Sequence, residues 1–393
     1  MGREFRIGCV GLGHRGRAML KWANDGIESF KAVAACDTKP DLFYKPARNQ
    51  PSLKSELPDV EYYPDYDEML EKAHLDVVLV ETPATCHAEF CDKALKRGIH
   101  VYSDIPSVAT LEEADMLWKS QRESSAMLMT GATTCGWGFV LALQDLVRKG
   151  LLGKPFAMEA EYIHDGRSLW EETPWRKPSK DKPYYPIHYC THSLGPLLSI
   201  IDEDLKTVTC MSTGSHVTGL EGAHDLMTAT YQTPSGVVVR QTCSFINCCK
   251  TGNHSFRVFG TEGYFEHLSS RGAEPEKTRF NSNVLYGADK ITELPVSFMP
   301  NELDAYRQKN PRSVFGHGGG DSYLMRKFEE TLLNGGTTAP CDLKAGLRMT
   351  LPGIFACQSA RNGGTPVKIY YPWDEEWPEF LKSIVDADDK LAK

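Results

Sequence analysis

Along the first 130 residues the apolar positions come in short unbroken runs, separated by longer stretches where they recur every three or four places. The runs are Phe5–Val10, 32–36, 76–81, 99–103 and 126–130. Segments of that length, apolar on both faces, predict strands buried in a parallel sheet. The stretches between them, at 15–24, Tyr66–Lys72, 88–97 and Leu111–Glu123, carry the helical period, and Gly98 stands where the third would need a C-cap. Pro83 ends the third run, because proline has no N–H to give to a ladder. Strand alternating with helix at this spacing predicts a doubly wound parallel sheet.

After residue 130 the texture changes. A helix over 139–150 leads into segments of period two at 156–164, 207–214, 225–233, 237–245 and 256–267, with few helices between them. These predict a large, open, mostly antiparallel sheet, with Gly260-Thr261-Glu262-Gly263 as a hairpin turn. Residues 271–311 are polar and aperiodic and read as irregular. Leu324, Phe328 and Leu332 then predict a helix over 321–334. A second helix, Leu343–Arg361, follows with Asp342 as N-cap and a kink at Pro352, and a short strand closes the pattern at 367–371. The expected architecture is therefore α/β: an N-terminal Rossmann domain over 1–130, and a C-terminal α+β domain over 131–393 for substrate binding and oligomerisation. The C-terminal helices are expected to pack back toward the first domain.

Bulk properties narrow the classes. A chain of 393 residues exceeds one core. The net charge is -8 and no basic stripe stands out, which argues against nucleic acid as a partner. No apolar run reaches the roughly 18 residues of a membrane span. The first strand begins almost at once, so no signal peptide is expected. The 12 cysteines show no CxxC pair and no disulfide framework, which predicts reduced thiols and a cytoplasmic protein. An open sheet face predicts a homodimer or homotetramer.

Chemistry enters at Gly11-Leu12-Gly13-His14-Arg15-Gly16, between the first strand and the first helix. Gly11 permits the tight turn, Gly13 the close approach of a pyrophosphate, and Gly16 the packing of helix on strand. The helix N-terminus adds free N–H groups for phosphates. Asp37, at the end of the second run, can accept both ribose hydroxyls and would repel a 2′-phosphate, so the expected cofactor is NAD. The competing reading is a doubly wound sheet that binds none. Ligands lie at the carboxyl ends of such strands, which places Thr82, Ala84, His87, Asp104, Ile105, Pro106 and Thr133 toward the cofactor. His87 reads equally as a helix-start residue with no ligand. His188, Cys190 and His192 alternate, but three candidates in one short run do not make a metal site, and no metal is expected. Residues 316–320 read as a flexible helix entry with Asp321 as the N-cap.

Several segments, in order, resemble the Gfo/Idh/MocA group of NAD(P)-dependent sugar-handling proteins. Within it the chain looks most like glycoside hydrolase family 109, the NAD-dependent α-N-acetylgalactosaminidases, and related redox glycosidases. The segments are the glycine loop, Asp104-Ile105-Pro106, Leu151-Leu152-Gly153-Lys154-Pro155, Tyr162-Ile163-His164-Asp165, Trp175-Arg176, Tyr189-Cys190-Thr191-His192-Ser193-Leu194-Gly195-Pro196 and Gly316-His317-Gly318-Gly319-Gly320-Asp321. The resemblance implies that His14 and Arg15 line the pyrophosphate loop and that Asp37 meets the adenosine ribose. It also implies that residues 84–87 with Asp104 and Ile105 flank the nicotinamide ribose. Tyr162, Arg176 and the run Tyr189, Cys190, Thr191 and His192 would hold the sugar, beside His188. Two departures stand out: the family's Tyr-Pro-Thr-His-Gly is Tyr-Cys-Thr-His-Ser here, and its Glu-Asn pair is Ala132-Thr133.

The group's ordinary dehydrogenases carry a lysine in Glu-Lys-Pro where Asp104-Ile105-Pro106 stands. Ile105 cannot take a hydroxyl proton, so proton handling passes to His192, Tyr189, Tyr162 and His164. An imidazole has an ordinary pKa near working pH, whereas a tyrosine near 10 needs a neighbour such as Arg176. His192 also reads as a buried core histidine. The expected activity on a small-molecule glycoside is hydrolysis by transient C3 oxidation, C2 deprotonation, loss of the C1 substituent, water addition and re-reduction. An NAD-dependent sugar dehydrogenase, or a 3-keto-glycoside-forming oxidoreductase, is the first alternative. A non-catalytic dinucleotide-binding regulator is the second.

Overall fold

The computed structural model describes residues 3–47, 50–171, 173–249, 253–268, 276–286, 290–309 and 314–391. They form two compact units. The first comprises Met1–Thr133, Glu302–Leu347 and Pro378–Lys393; the second comprises Thr134–Asn301 and Arg348–Trp377. The first unit is thus discontinuous in sequence, where one boundary after residue 130 was expected.

In the first unit six strands form a sheet: β1 (Phe5–Val10), β2 (Phe30–Cys36), β3 (Glu61–Tyr63), β4 (Val77–Val80), β5 (His100–Ser103) and β6 (Leu128–Thr130). Their order is β3-β2-β1-β4-β5-β6, and every neighbouring pair is parallel. Chain direction around the sheet reverses between β1 and β4, which makes that edge the switch point where an open α/β sheet leaves a crevice. All four residues of β4 are buried, as an apolar run covered on both faces requires.

Helix starts follow local chemistry. Thr110 and Glu113 close a capping box at the start of Leu111–Glu123, and Asp65 caps Tyr66–Lys72. The helix expected at 88–97 runs instead over Ala84–Leu95, because Pro83 at the N-cap presets the entry. Residues 84–87 are therefore a helical first turn rather than a loop.

The helix Gly320–Leu333 belongs to this unit through contacts far along the chain. It buries Leu324, Phe328 and Leu332. The Phe328 ring meets Tyr102 of β5 edge-on at 5.7 Å. Ser29 donates to Glu329 at 2.6 Å, and Arg326 donates to the Gly26 carbonyl at 2.8 Å. Asp342 caps the helix Leu343–Arg361 by accepting from the Ala345 N–H at 2.8 Å.

Among the described residues the second unit has nine strands: β7 (Pro155–Ile163), β8 (Thr207–Ser212), β9 (Leu226–Gln232), β10 (Val238–Ser244), β11 (Asn253–Gly260), β12 (Gly263–Leu268), β13 (Lys277–Ser282), β14 (Thr292–Leu294) and β15 (Val367–Lys368). Their order is β14-β13-β12-β11-β7-β10-β9-β8-β15. Only the central pair β7/β10 is parallel.

Strands β13 and β14 occupy a region expected to be irregular; residues 271–275, 287–289 and 310–311 of it lie outside the described residues. The buried face of β13 is Thr278, Phe280 and Ser282, so its one large apolar side chain leaves little alternation to read. The strand expected at 367–371 stops at Lys368. Asp374 accepts the Tyr371 N–H at 3.0 Å, which takes that donor out of any ladder. Among the described residues no helix is long and apolar enough to cross a membrane.

Candidate functional site

In the first unit the loop after β1 gives its three glycines three different roles. Gly11 has φ +91°, and a Cβ there would lie 2.7 Å from the Glu81 carbonyl carbon. A Cβ on Gly16 would lie 1.9 Å from the Gly11 oxygen. Both positions are closed to side chains by the protein's own packing. Gly13 is different. Its φ is an ordinary -60°, it is exposed, and a Cβ on it would meet nothing within 4 Å. The fold does not need a glycine there, and the space left free suits an outside group such as a pyrophosphate. The helix His14–Gly26 begins at this point with no side-chain cap and no acid in its first turn. Its leading N–H groups thus favour an anion.

Asp37 sits at the end of β2. Its two oxygens accept from the Leu12 N–H at 2.8 Å and the Lys39 N–H at 2.9 Å. The carboxylate is fixed in place and keeps further lone pairs for ribose hydroxyls. Leu12 is buried while His14 is exposed. The Thr82 and Thr133 hydroxyls are buried without hydrogen bonds.

His87 is buried and braces two loops. Its Nδ1 faces the Pro106 carbonyl at 2.8 Å and its Nε2 the Thr82 carbonyl at 2.6 Å. Both ring nitrogens are thus engaged with carbonyls, so His87 ties the segment at Thr82 to the one at Pro106. Ile105 is buried too, and its peptide to Pro106 is cis.

Arg15 has the most crowded ionic surroundings of the residues in this loop. Its guanidinium is held by three carboxylates. Nε lies 3.1 Å from Glu81 and 3.0 Å from Asp104, and Nη2 lies 3.0 Å from Asp321. His317 Nδ1 adds a contact to Asp321 at 2.8 Å. Asp321 is not the N-cap: Gly319 holds that position, and the Asp321 carboxylate is buried against Arg15. Burial alone would raise the Asp321 pKa; Arg15 and His317 outweigh it and hold the group well below the usual carboxylate range. Burial pushes Glu81 well above that range, against the pull of Arg15 and with Asp104 and Asp321 adding to the rise.

In the second unit a set of rings gathers at the end of β7. Tyr162 lies 4.8 Å from His192 and 6.3 Å from Tyr189 between ring centroids, and Tyr189 lies 5.0 Å from His192. The sequence expected these three residues to share a site, and the fold brings them together. The helix Thr191–Leu198 carries His192, and the turn Pro186–Tyr189 just before it carries Tyr189. His192 is 2% exposed, so a proton exchanged here meets little bulk water. His164 stands further off, 6.3 Å from Phe245, which also meets Tyr162 and Tyr189. Arg176 acts on Tyr184: burial pushes that phenol up and the Arg176 charge opposes it.

Other sequence candidates point elsewhere. Cys190 is buried and its Sγ donates to the Met349 carbonyl at 3.0 Å, so it packs into the core. Burial pushes its thiol well above the ordinary range. Thr191 is fully buried, with no hydrogen bond from its hydroxyl. His188 is exposed, with its ring 5.6 Å from Tyr185. Among the described residues no three of His, Cys, Asp and Glu gather as a metal-binding set.

One residue was missed: His254 stacks on Tyr162 at 4.3 Å and 7°. It is the register partner of Tyr162 across β11 and β7. Following the inward alternation of Phe256 and Val258 back by two would have found it.

Comparison with known proteins places these features in a lineage. A family model described as an oxidoreductase family with an NAD-binding Rossmann fold matches residues 5–132. A second, the GFO/IDH/MocA C-terminal domain, matches residues 140–266. A glycosyl hydrolase family 109 protein of Solibacter usitatus is 28% identical over 92% of this chain and 87% of its own length. One from Porphyromonas gingivalis is 27% identical over 93% and 83%. Among solved structures, an inositol dehydrogenase homologue from Azotobacter vinelandii complexed with NAD+ superposes with TM-score 0.73 at 20% identity, covering 93% of this chain and 97% of its own. An oxidoreductase from Agrobacterium radiobacter in complex with NAD+, L-tartaric acid and magnesium gives 0.74 at 16%, over 93% and 98%.

Proposed function

The chain belongs to the Gfo/Idh/MocA oxidoreductase family and binds NAD, and from that premise we propose that it is an NAD-dependent glycoside hydrolase that oxidises its sugar only in passing. The observation that carries the proposal is the triangle of Tyr162, Tyr189 and His192, three proton carriers within 6.3 Å of one another. A plain alcohol oxidation needs one base. An elimination that follows it needs a second, for a proton on carbon.

Gly13, the N–H groups that follow it and Asp37 would hold NAD, whose chemistry is to accept a hydride and give it back. His192 would take the proton of the sugar C3 hydroxyl, a task for which imidazole is the usual side chain. Once C3 is a ketone the C2 hydrogen is acidified. Tyr162 or Tyr189 would then take that proton as the C1–O bond breaks and the aglycone leaves with the bonding pair. Water adds at C1, the same tyrosine returns a proton to C2, and His192 returns one to the C3 oxygen. No pair of carboxylic acids at glycosidase spacing is required. Ile105 fits the scheme, since it supplies no base of its own.

The experiment is a screen of the full chain against nitrophenyl α- and β-glycosides with no added NAD, run in heavy water. Release of nitrophenol with deuterium at C2 of the freed sugar is the expected result. No release without added NAD, with NADH accumulating in step with a ketone product once NAD+ is supplied, would instead assign a sugar dehydrogenase. Hydrolysis with only protium at C2, and with no primary isotope effect from a C2-deuterated glycoside, would reject the elimination.

A further inference from the structure

The Arg15 cluster holds more negative charge than Arg15 can balance. Three carboxylates converge on one guanidinium at 3.0 to 3.1 Å. Against the one guanidinium the three carboxylates leave up to two surplus negative charges, and one where Glu81 keeps its proton. Glu81 and Asp321 have fully buried side chains, and both Glu81 oxygens lack a hydrogen bond. Surplus buried charge is costly unless a counter-charge arrives. The chain even accepts strain to complete the cluster: His317, which reaches Asp321, sits at φ +42° between Gly316 and Gly318, themselves at positive φ.

The position of the cluster suggests the counter-charge. Glu81 follows β4 and Asp104 follows β5, on the far side of the switch point from Asp37 at the end of β2. A dinucleotide with its adenosine ribose at Asp37 and its pyrophosphate at Gly13 has its nicotinamide half on the β4–β5 side. The oxidised nicotinamide ring is a cation, and the reduced ring is neutral.

We propose that the Arg15, Glu81, Asp104 and Asp321 cluster selects the oxidised cofactor, so that this protein holds NAD+ more tightly than NADH. Asp104, whose side chain is 22% exposed, is the carboxylate a ligand can reach. Asp321, held ionised by Arg15, adds to it through a weakly screening interior. The selection favours a resting state primed to oxidise, and makes the reduced form readier to give its hydride back. It stands whether or not the chain cleaves glycosides.

The test equilibrates the full chain with equimolar NAD+ and NADH at pH 8, removes free nucleotide by rapid gel filtration, and measures the bound ratio by chromatography. NAD+ is expected to exceed NADH at least tenfold. In Asp104→Asn the ratio should fall roughly tenfold, while Asp104→Glu keeps it. NADH bound at parity or above on the wild-type protein overturns the proposal, without need of any variant. So does an Asp104→Asn protein that loses both forms equally, since that would mean a neutral contact with the ribose.

Discussion

Tyr162 meets rings on several sides: His254 stacked at 4.3 Å, His192 at 4.8 Å, Phe245 at 5.8 Å and Tyr189 at 6.3 Å. Such packing fixes the ring, and the chemistry proposed for this residue rests on the hydroxyl. Tyr162→Phe keeps the ring and removes the oxygen. Its kcat on a cleaved glycoside should fall by about 10²- to 10⁴-fold, with the melting temperature moved by less than about 2 °C. His192→Gln should lose a similar factor. Steady-state kinetics beside a thermal melt checks both, and an unchanged kcat in either variant removes that residue from the proton path. Residue type and order were enough to nominate Tyr162, Tyr189 and His192. They could not show that Cys190, between two of them, turns its thiol to the Met349 carbonyl.

The glycine loop separates fold from function at the level of one element. Gly13→Ala adds a methyl where no protein atom lies within 4 Å. It should fold and melt like the wild type and bind NAD at least tenfold more weakly, as a fluorescence titration would read. Gly16→Ala places its methyl 1.9 Å from the Gly11 oxygen and should cost roughly 2 kcal/mol or more of stability in urea unfolding. Equal NAD affinity in Gly13→Ala would mean that the open space serves something else. The spacing of the motif was plain in the sequence. The division of labour among its glycines follows from φ and from neighbours that only the folded loop supplies.

At the scale of the whole molecule, the second unit's core contains a histidine whose ionisation is coupled to folding. His267 is fully buried and stacks on Phe139 at 3.6 Å and 4°, with Nδ1 facing the Thr278 hydroxyl at 2.8 Å. Burial, with His254 adding to it, pushes its pKa down to about 3. The unfolded chain therefore binds a proton that the folded one refuses, and stability falls as pH drops below the ordinary imidazole value of about 6.5. Between pH 7 and pH 5 this one group should remove about 2 kcal/mol. In His267→Phe, which keeps the stack and removes the titration, that part of the pH dependence should vanish from urea unfolding curves. A slope as steep as in the wild type would place the acid sensitivity elsewhere.

What the sequence determined by itself was carried by near neighbours. The β1-loop-helix motif, the acid ending β2, the period-two strands of the second sheet and the Tyr-x-x-His run can all be read within a dozen residues, because periodicity, turn chemistry and capping act at that range. Tertiary structure alone decided what depends on partners far along the chain. Arg15 could not be seen to face Asp321, 306 residues away, nor could the partners that hold Gly320–Leu333 to the first unit be named, such as Ser29, which bonds Glu329 across 300 residues. A charged side chain settles on the opposite charges that folding brings within reach, and an amphipathic helix settles on whichever apolar face is left uncovered. Neither outcome is written in local pattern.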